Sequence, residues 1–131
     1  MVCLDTSILV PLLRKEEEAL GNLRKAGDKG SRVSTTVISL CELYAGAYSS
    51  QNPVKELRKV EELISCLEVF ELTKEASQKY GELLNSSAIR TNPIGDFDLI
   101  IAAIALSSGE DLVTRNPEHF GRIPGLELEL W

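Results

Sequence analysis

The 131-residue sequence has one histidine, His119, no CxxC pair, no apolar run of membrane length and no surplus of positive charge. A lone histidine, beside Pro117 and Phe120, leaves imidazole-pair acid–base chemistry without a second partner. It reads as a solvated or capping loop residue, outside any catalytic core. Cys3, Cys41 and Cys66 are odd in number and lie in apolar surroundings, which excludes a disulfide framework and reads as reduced core thiols. The opening MVCLDTSILVPLL lacks a leading basic region and contains Asp5, so it does not read as a signal peptide. Together with the absence of a membrane-length span, this leads us to expect a cytoplasmic protein. Fourteen Lys and Arg against twenty Asp and Glu give a net charge of −6, which excludes a general nucleic-acid coat. It does not exclude an enzyme that reaches phosphates through bound cations. No repeat, low-complexity tract or linker divides the chain, so a single domain over 1–131 is expected.

What is present centres on Pro93–Leu106, PIGDFDLIIAAIAL. Turn residues lead into an apolar stretch rich in alanine, which fits a buried helix better than a strand. Asp96 and Asp98 fall in its first turn, where free N–H groups and the helix dipole favour negative charge. One capping acid suffices, so the second is available for chemistry.

Before this centre, Val2–Asp5 reads as a buried parallel strand ending in an acid. Thr6 or Ser7 is expected to cap a helix over Ile8–Leu13, and a charged helix follows over about Lys15–Lys25. Arg32–Thr35 reads as a strand. The helix after it has Leu40, Leu43, Tyr44 and Ala47 at helical spacing, with Glu42 at the stripe's edge. Pro53 opens a helix to about Cys66 with Val54, Leu57, Val60 and Ile64 on one face. Leu67–Leu72 alternates as a strand, and Thr73 caps a helix with Ala76, Tyr80, Leu83 and Leu84 inward. A loop runs from there to Gly95. Beyond the central helix, Asp111–Thr114 and Leu126–Leu130 read as strands, with Arg115–Asn116–Pro117 as a turn. Strands alternating with helices imply an α/β layered fold around a mainly parallel sheet, whose sites form at the carboxyl ends of strands.

Four pieces stand out: LDTSILV at the start, the S-x-x-E-L-x-x-G block Ser39–Gly46, IGDFDLIIAAIAL, and LVTRNPEHF. In this order and spacing the whole chain resembles the PIN domain, and within it the small toxin nucleases of VapBC-type toxin–antitoxin pairs. The resemblance implies a three-layer α/β/α domain with about five strands. It puts Asp5, Glu42 and Asp98 on the family's metal-binding acids, and Asn116 on a fourth position that is often aspartate. Asp96 stands where the family varies, and is expected mainly to cap, with reach to a second metal. Thr6, Ser7 and Thr114 match hydroxyls that orient the carboxylates, and Arg115 is a candidate phosphate contact. The implied cofactor is Mg²⁺, with Mn²⁺ as an alternative, because hard cations take oxygen ligands. The implied activity is RNA cleavage leaving a 5′-phosphate and a 3′-hydroxyl. The implied partners are RNA, a cognate antitoxin and a second copy of the chain, with no membrane.

Other classes fit less well. A receiver domain needs an acid pair after the first strand, a mid-chain Asp and a late lysine. This chain has Asp5 alone, no Asp between Asp28 and Asp96, and no lysine after Lys79. A DxD phosphatase fails because Ser7 stands two residues after Asp5. The remaining rival is a catalytically weak or inactive PIN-like module that binds RNA or protein, suggested by the neutral Asn116.

Overall fold

The structure, a computed structural model, describes residues 2–131. Strand β1 (Val2–Leu4) is wholly buried and pairs in parallel with β2 (Val33–Thr36) on one side and β4 (Asp111–Val113) on the other. Outside them lie β3 (Glu68–Phe70) and β5 (Leu128–Glu129), giving an all-parallel sheet in the order β3-β2-β1-β4-β5. The chain therefore builds outward from β1 in one direction and later in the other. The switch falls between β1 and β4, the point at whose carboxyl ends sites form in sheets of this kind.

Side-chain alternation along β1 splits the core in two. Cys3, with Leu112 beside it, packs with α5 (Lys74–Leu84), α6 (Ser87–Thr91), α7 (Asp96–Ser108) and α8 (Pro117–Phe120). Val2, Leu4 and Val113 pack with α1 (Thr6–Leu13), α2 (Glu17–Asp28), α3 (Val37–Tyr48) and α4 (Pro53–Ile64). This is the three-layer α/β/α arrangement expected. Helix α7 is the central apolar helix, with Leu99 and Ile101–Ala105 buried. It ends at Gly109, whose φ of 69° provides the left-handed cap.

Buried hydroxyls on β2 are paired rather than orphaned. Ser34 Oγ donates to the Val2 carbonyl at 3.0 Å and Thr35 Oγ1 to the Leu4 carbonyl at 2.8 Å. Thr36 caps α3 by accepting from the Ser39 N–H at 3.1 Å. These bonds offset the cost of burying polar groups, and they fix the end of β1 where Asp5 follows.

Several expectations are corrected. Asp5 itself, not Thr6 or Ser7, caps α1, because its carboxylate reaches the Ser7 N–H. The cap of α7 is Gly95, so neither Asp96 nor Asp98 is a capping residue. The stretch before Gly95 carries the short helix α6, capped by Ser86, rather than a bare loop. Val54 and Leu84 face outward, while Cys41 and Cys66 are exposed and only Cys3 is a core thiol. His119 lies on α8, not in a loop.

Candidate active site

Asp5 leaves β1 at the switch point and is 4% exposed. Its Oδ1 accepts from the Ser7 N–H at 3.0 Å and from Ser7 Oγ at 2.5 Å, while Oδ2 accepts from Thr114 Oγ1 at 2.7 Å. Burial raises the Asp5 pKa above the ordinary carboxylate value. The Ser7 and Thr114 hydrogen bonds oppose that rise without cancelling it, and the nearby charge of Asp98 adds to it.

Two further acids connect to this end of the sheet. Glu42, half-buried on α3, accepts from Thr6 Oγ1 at 2.7 Å, so the residue next to Asp5 orients the second acid. Asp98, in the first turn of α7, has Oδ2 3.0 Å from His119 Nδ1, which in turn lies 2.9 Å from Asn116 Nδ2. Asn116 is tied back to Asp5 through its own N–H, which donates to Thr114 Oγ1 at 2.9 Å. The Arg115 N–H donates to Ser7 Oγ at 2.9 Å, although its guanidinium turns away to Glu16.

Asp5, Thr6, Ser7, Glu42, Asp98, Thr114 and Asn116 are thus linked around one end of the sheet. Asp96 is not among them. It faces a cleft shared with Leu72, Tyr80 and Phe97, where Tyr80 Oη donates to it at 3.4 Å. The sequence reading set His119 outside the catalytic core, whereas its ring contacts both Asp98 and Asn116, and it gave Glu16 no partner at the site. His119 was legible in principle, since Asn-Pro followed two residues later by His is a helix start that brings Asn116 and His119 to one side. Glu16 carries no comparable signal, because its partner lies 99 residues away.

The side-chain donors of Asp5, Glu42, Asp98 and Asn116 are oxygens, the ligand type that hard cations such as Mg²⁺ and Mn²⁺ take. Among the described residues no three acid, histidine or cysteine side chains stand close enough together to hold a metal ion as they are placed. Glu42 Oε2 and Asp98 Oδ1 are left without hydrogen bonds among those residues. Mg²⁺ keeps several waters and needs few protein oxygens, so free carboxylate oxygens of this kind suit it.

Comparison with known proteins gives the chain's family and its structural relatives. Residues 2–126 match the family described as PIN domain. Ribonuclease VapC2 of Rickettsia felis is 32% identical over 128 residues, 98% of this chain and 96% of its own length. The tRNA(fMet)-specific endonuclease VapC of Salmonella typhimurium is 39% identical over 101 residues, 77% and 76% of the two chains. Among solved structures, VapBC2 from Rickettsia felis bound to a promoter DNA fragment aligns with a TM-score of 0.93 at 31% identity, covering 100% of this chain and 99% of that one. DNA-bound VapBC from Salmonella typhimurium gives 0.90 at 33%, with the same coverage.

Proposed function

The chain belongs to the PIN-domain family and to its VapC branch, and from that premise we propose that it is a Mg²⁺- or Mn²⁺-dependent endoribonuclease, the toxin of a VapBC-type pair. The observation that carries this reading is the immobilised Asp5 at the β1/β4 switch point, with Glu42 and Asp98 oriented beside it by Thr6 and His119. Asp5, Glu42 and Asp98 would hold the cation, with Asn116 assisting through its amide. Held there, such a cation would supply activation of a water and compensation of charge on an in-line phosphodiester transition state.

The protein's own residues supply the orientation. Ser7 and Thr114 fix both oxygens of Asp5, and a neighbouring cation would reverse the rise in its pKa, favouring the ionised form. Arg115, on the same strand end, is suited to a substrate phosphate.

The relatives assembled as VapBC complexes support a cognate antitoxin for this chain. A groove of about 330 Å³, lined by Val10, Leu13, Leu43 and Val60 together with the charged Arg14, Glu42, Glu56 and Lys59, suits an antitoxin segment that pairs apolar side chains with an Arg for the acids. Leu72 and Phe97 expose apolar surface that a homodimer would cover. Among the described residues no helix is long and apolar enough to cross a membrane. A toxin that cleaves RNA would act in the cytoplasm, where its substrate is.

A neutral Asn116 at the fourth position favours one alternative, a PIN-like module that binds RNA or protein with little cleavage. A Mg²⁺ and Mn²⁺ titration with single-stranded RNA decides between them. Metal-dependent cleavage abolished by EDTA supports the nuclease, and metal-independent binding without cleavage supports the module.

A further inference from the structure

The Arg115 guanidinium is held by two contacts to one carboxylate, Nη2 to Glu16 Oε1 at 2.6 Å and Nη1 to Glu16 Oε2 at 3.3 Å. Glu16 follows directly on the C-cap of α1, in which Lys15 takes the left-handed position at φ 56°. The turn is held by the Lys15 N–H on the Leu12 carbonyl and the Glu16 N–H on the Pro11 carbonyl, both at 3.0 Å. Glu16 then occupies the N-cap position of α2, yet its side chain caps nothing. It reaches across to Arg115 instead. The pair holds the Glu16 carboxyl below its ordinary range and raises the Arg115 guanidinium.

The other end of Arg115 is fixed to the active site. Its N–H donates to Ser7 Oγ, the same hydroxyl that donates to Asp5, and it stands between Thr114 and Asn116. A guanidinium fork accepts a carboxylate or a phosphate in the same two-pronged way. Both side chains remain accessible, at 32% for Arg115 and 42% for Glu16.

We infer that Glu16 is a built-in stand-in for an RNA phosphate, clamping Arg115 at the rim of the site until a backbone phosphate of the substrate displaces it. This rests on the ribonuclease reading above. It makes Glu16 a specificity-determining residue. In a chain of net charge −6 the cation offered by the site is masked, so only RNA whose phosphate falls in register with Arg115 recovers it.

The test is a double-mutant cycle on binding of a fluorescein-labelled single-stranded RNA in EDTA, using the parent, Glu16→Gln, Arg115→Gln and the double variant. Glu16→Gln should bind about threefold to tenfold tighter than the parent, Arg115→Gln should bind more weakly, and adding Glu16→Gln to Arg115→Gln should change nothing. The clamp is overturned if Glu16→Gln leaves affinity unchanged or lowers it. It is equally overturned if the gain persists without Arg115, which would mark a general charge effect. Metal-dependent cleavage by the same proteins tests the underlying reading separately. Cleavage with no Glu16 effect on binding sinks the clamp alone, the expected cycle without cleavage sinks the nuclease reading alone, and no RNA binding by any variant sinks both.

Discussion

His119 Nδ1 sits 3.0 Å from Asp98 Oδ2 and 2.9 Å from the Asn116 side-chain nitrogen, so one ring atom joins α8 to the first turn of α7. That atom carries either a proton or a lone pair. With the proton it donates to Asp98, and the Asn116 amide must present its oxygen. Without the proton it accepts from the Asn116 amide and leaves Asp98 facing a lone pair. The first arrangement satisfies the carboxylate, and it makes His119 the residue that orients Asp98.

His119→Ala should therefore lower metal-dependent RNA cleavage by roughly 10–100-fold, the usual effect of losing an orienting partner. The loss should appear as a weaker apparent affinity for Mg²⁺ in a metal titration of the cleavage rate. A variant with the parent's rate and metal dependence would return His119 to a surface role.

Asp5→Asn and Asp98→Asn should each cost more than that, beyond about 100-fold, because they remove direct oxygen ligands and not their supports. EDTA should abolish cleavage by the parent, and the products should carry 5′-phosphates and 3′-hydroxyls. Cyclic phosphate ends, or cleavage persisting in EDTA, would contradict the metal mechanism.

Much of this arrangement could be read from the sequence because it rests on local pattern. The apolar run Leu99–Leu106 dictates a buried α7, and a short apolar β1 ending in Asp5 dictates a site at the sheet's carboxyl end. What could not be read depends on contacts between distant segments. That Thr114 would bind Asp5 was implied by resemblance alone, since 109 residues separate them. Val54 obeys the apolar spacing of α4 but sits in its first turn, beyond the reach of the sheet, and is 70% exposed. Cys41 and Cys66 have apolar sequence neighbours, yet both lie on outward faces. The cap of α1 was misassigned because Asp5 does two jobs, binding the Ser7 N–H as a cap and holding hydroxyls as a site residue.

Two carboxyls give the metal-free protein a definite pH dependence. Asp5 is raised above 3.8 mainly by burial, and Glu110 above 4.5 by burial, with Glu68 and Asp111 adding to the rise and Arg32 opposing it. Both Glu110 oxygens are buried without a hydrogen-bond partner among the described residues. A raised carboxyl binds its proton more tightly when folded, so its contribution is full below the unfolded pKa and is lost as pH rises through the folded one. Glu110→Gln should remove that loss. In urea unfolding with EDTA, the variant should gain about 1 kcal/mol more at pH 7 than at pH 4, the low end of the cost of an unsatisfied buried group. An equal effect at both pH values would show that Glu110 does not titrate in this window.

Melting curves separate catalysis from stability at Asp98. If the residue merely favours the amino end of α7, neutralising it should cost about 0.3–1 kcal/mol whether or not metal is present. If it shares a cation with Asp5, the metal-free protein carries their mutual repulsion, which already contributes to the raised pKa of Asp5. Asp98→Asn should then keep or raise the melting temperature in EDTA, because relief of that repulsion offsets the lost dipole and His119 contacts. It should also lose the rise that Mg²⁺ or Mn²⁺ gives the parent, roughly 2.7 kcal/mol at 100 times Kd. Four curves suffice, each protein with and without metal. A variant that melts lower in EDTA yet keeps the parent's full metal-induced rise would remove Asp98 from the metal site and leave it as a helix-terminal acid held by His119.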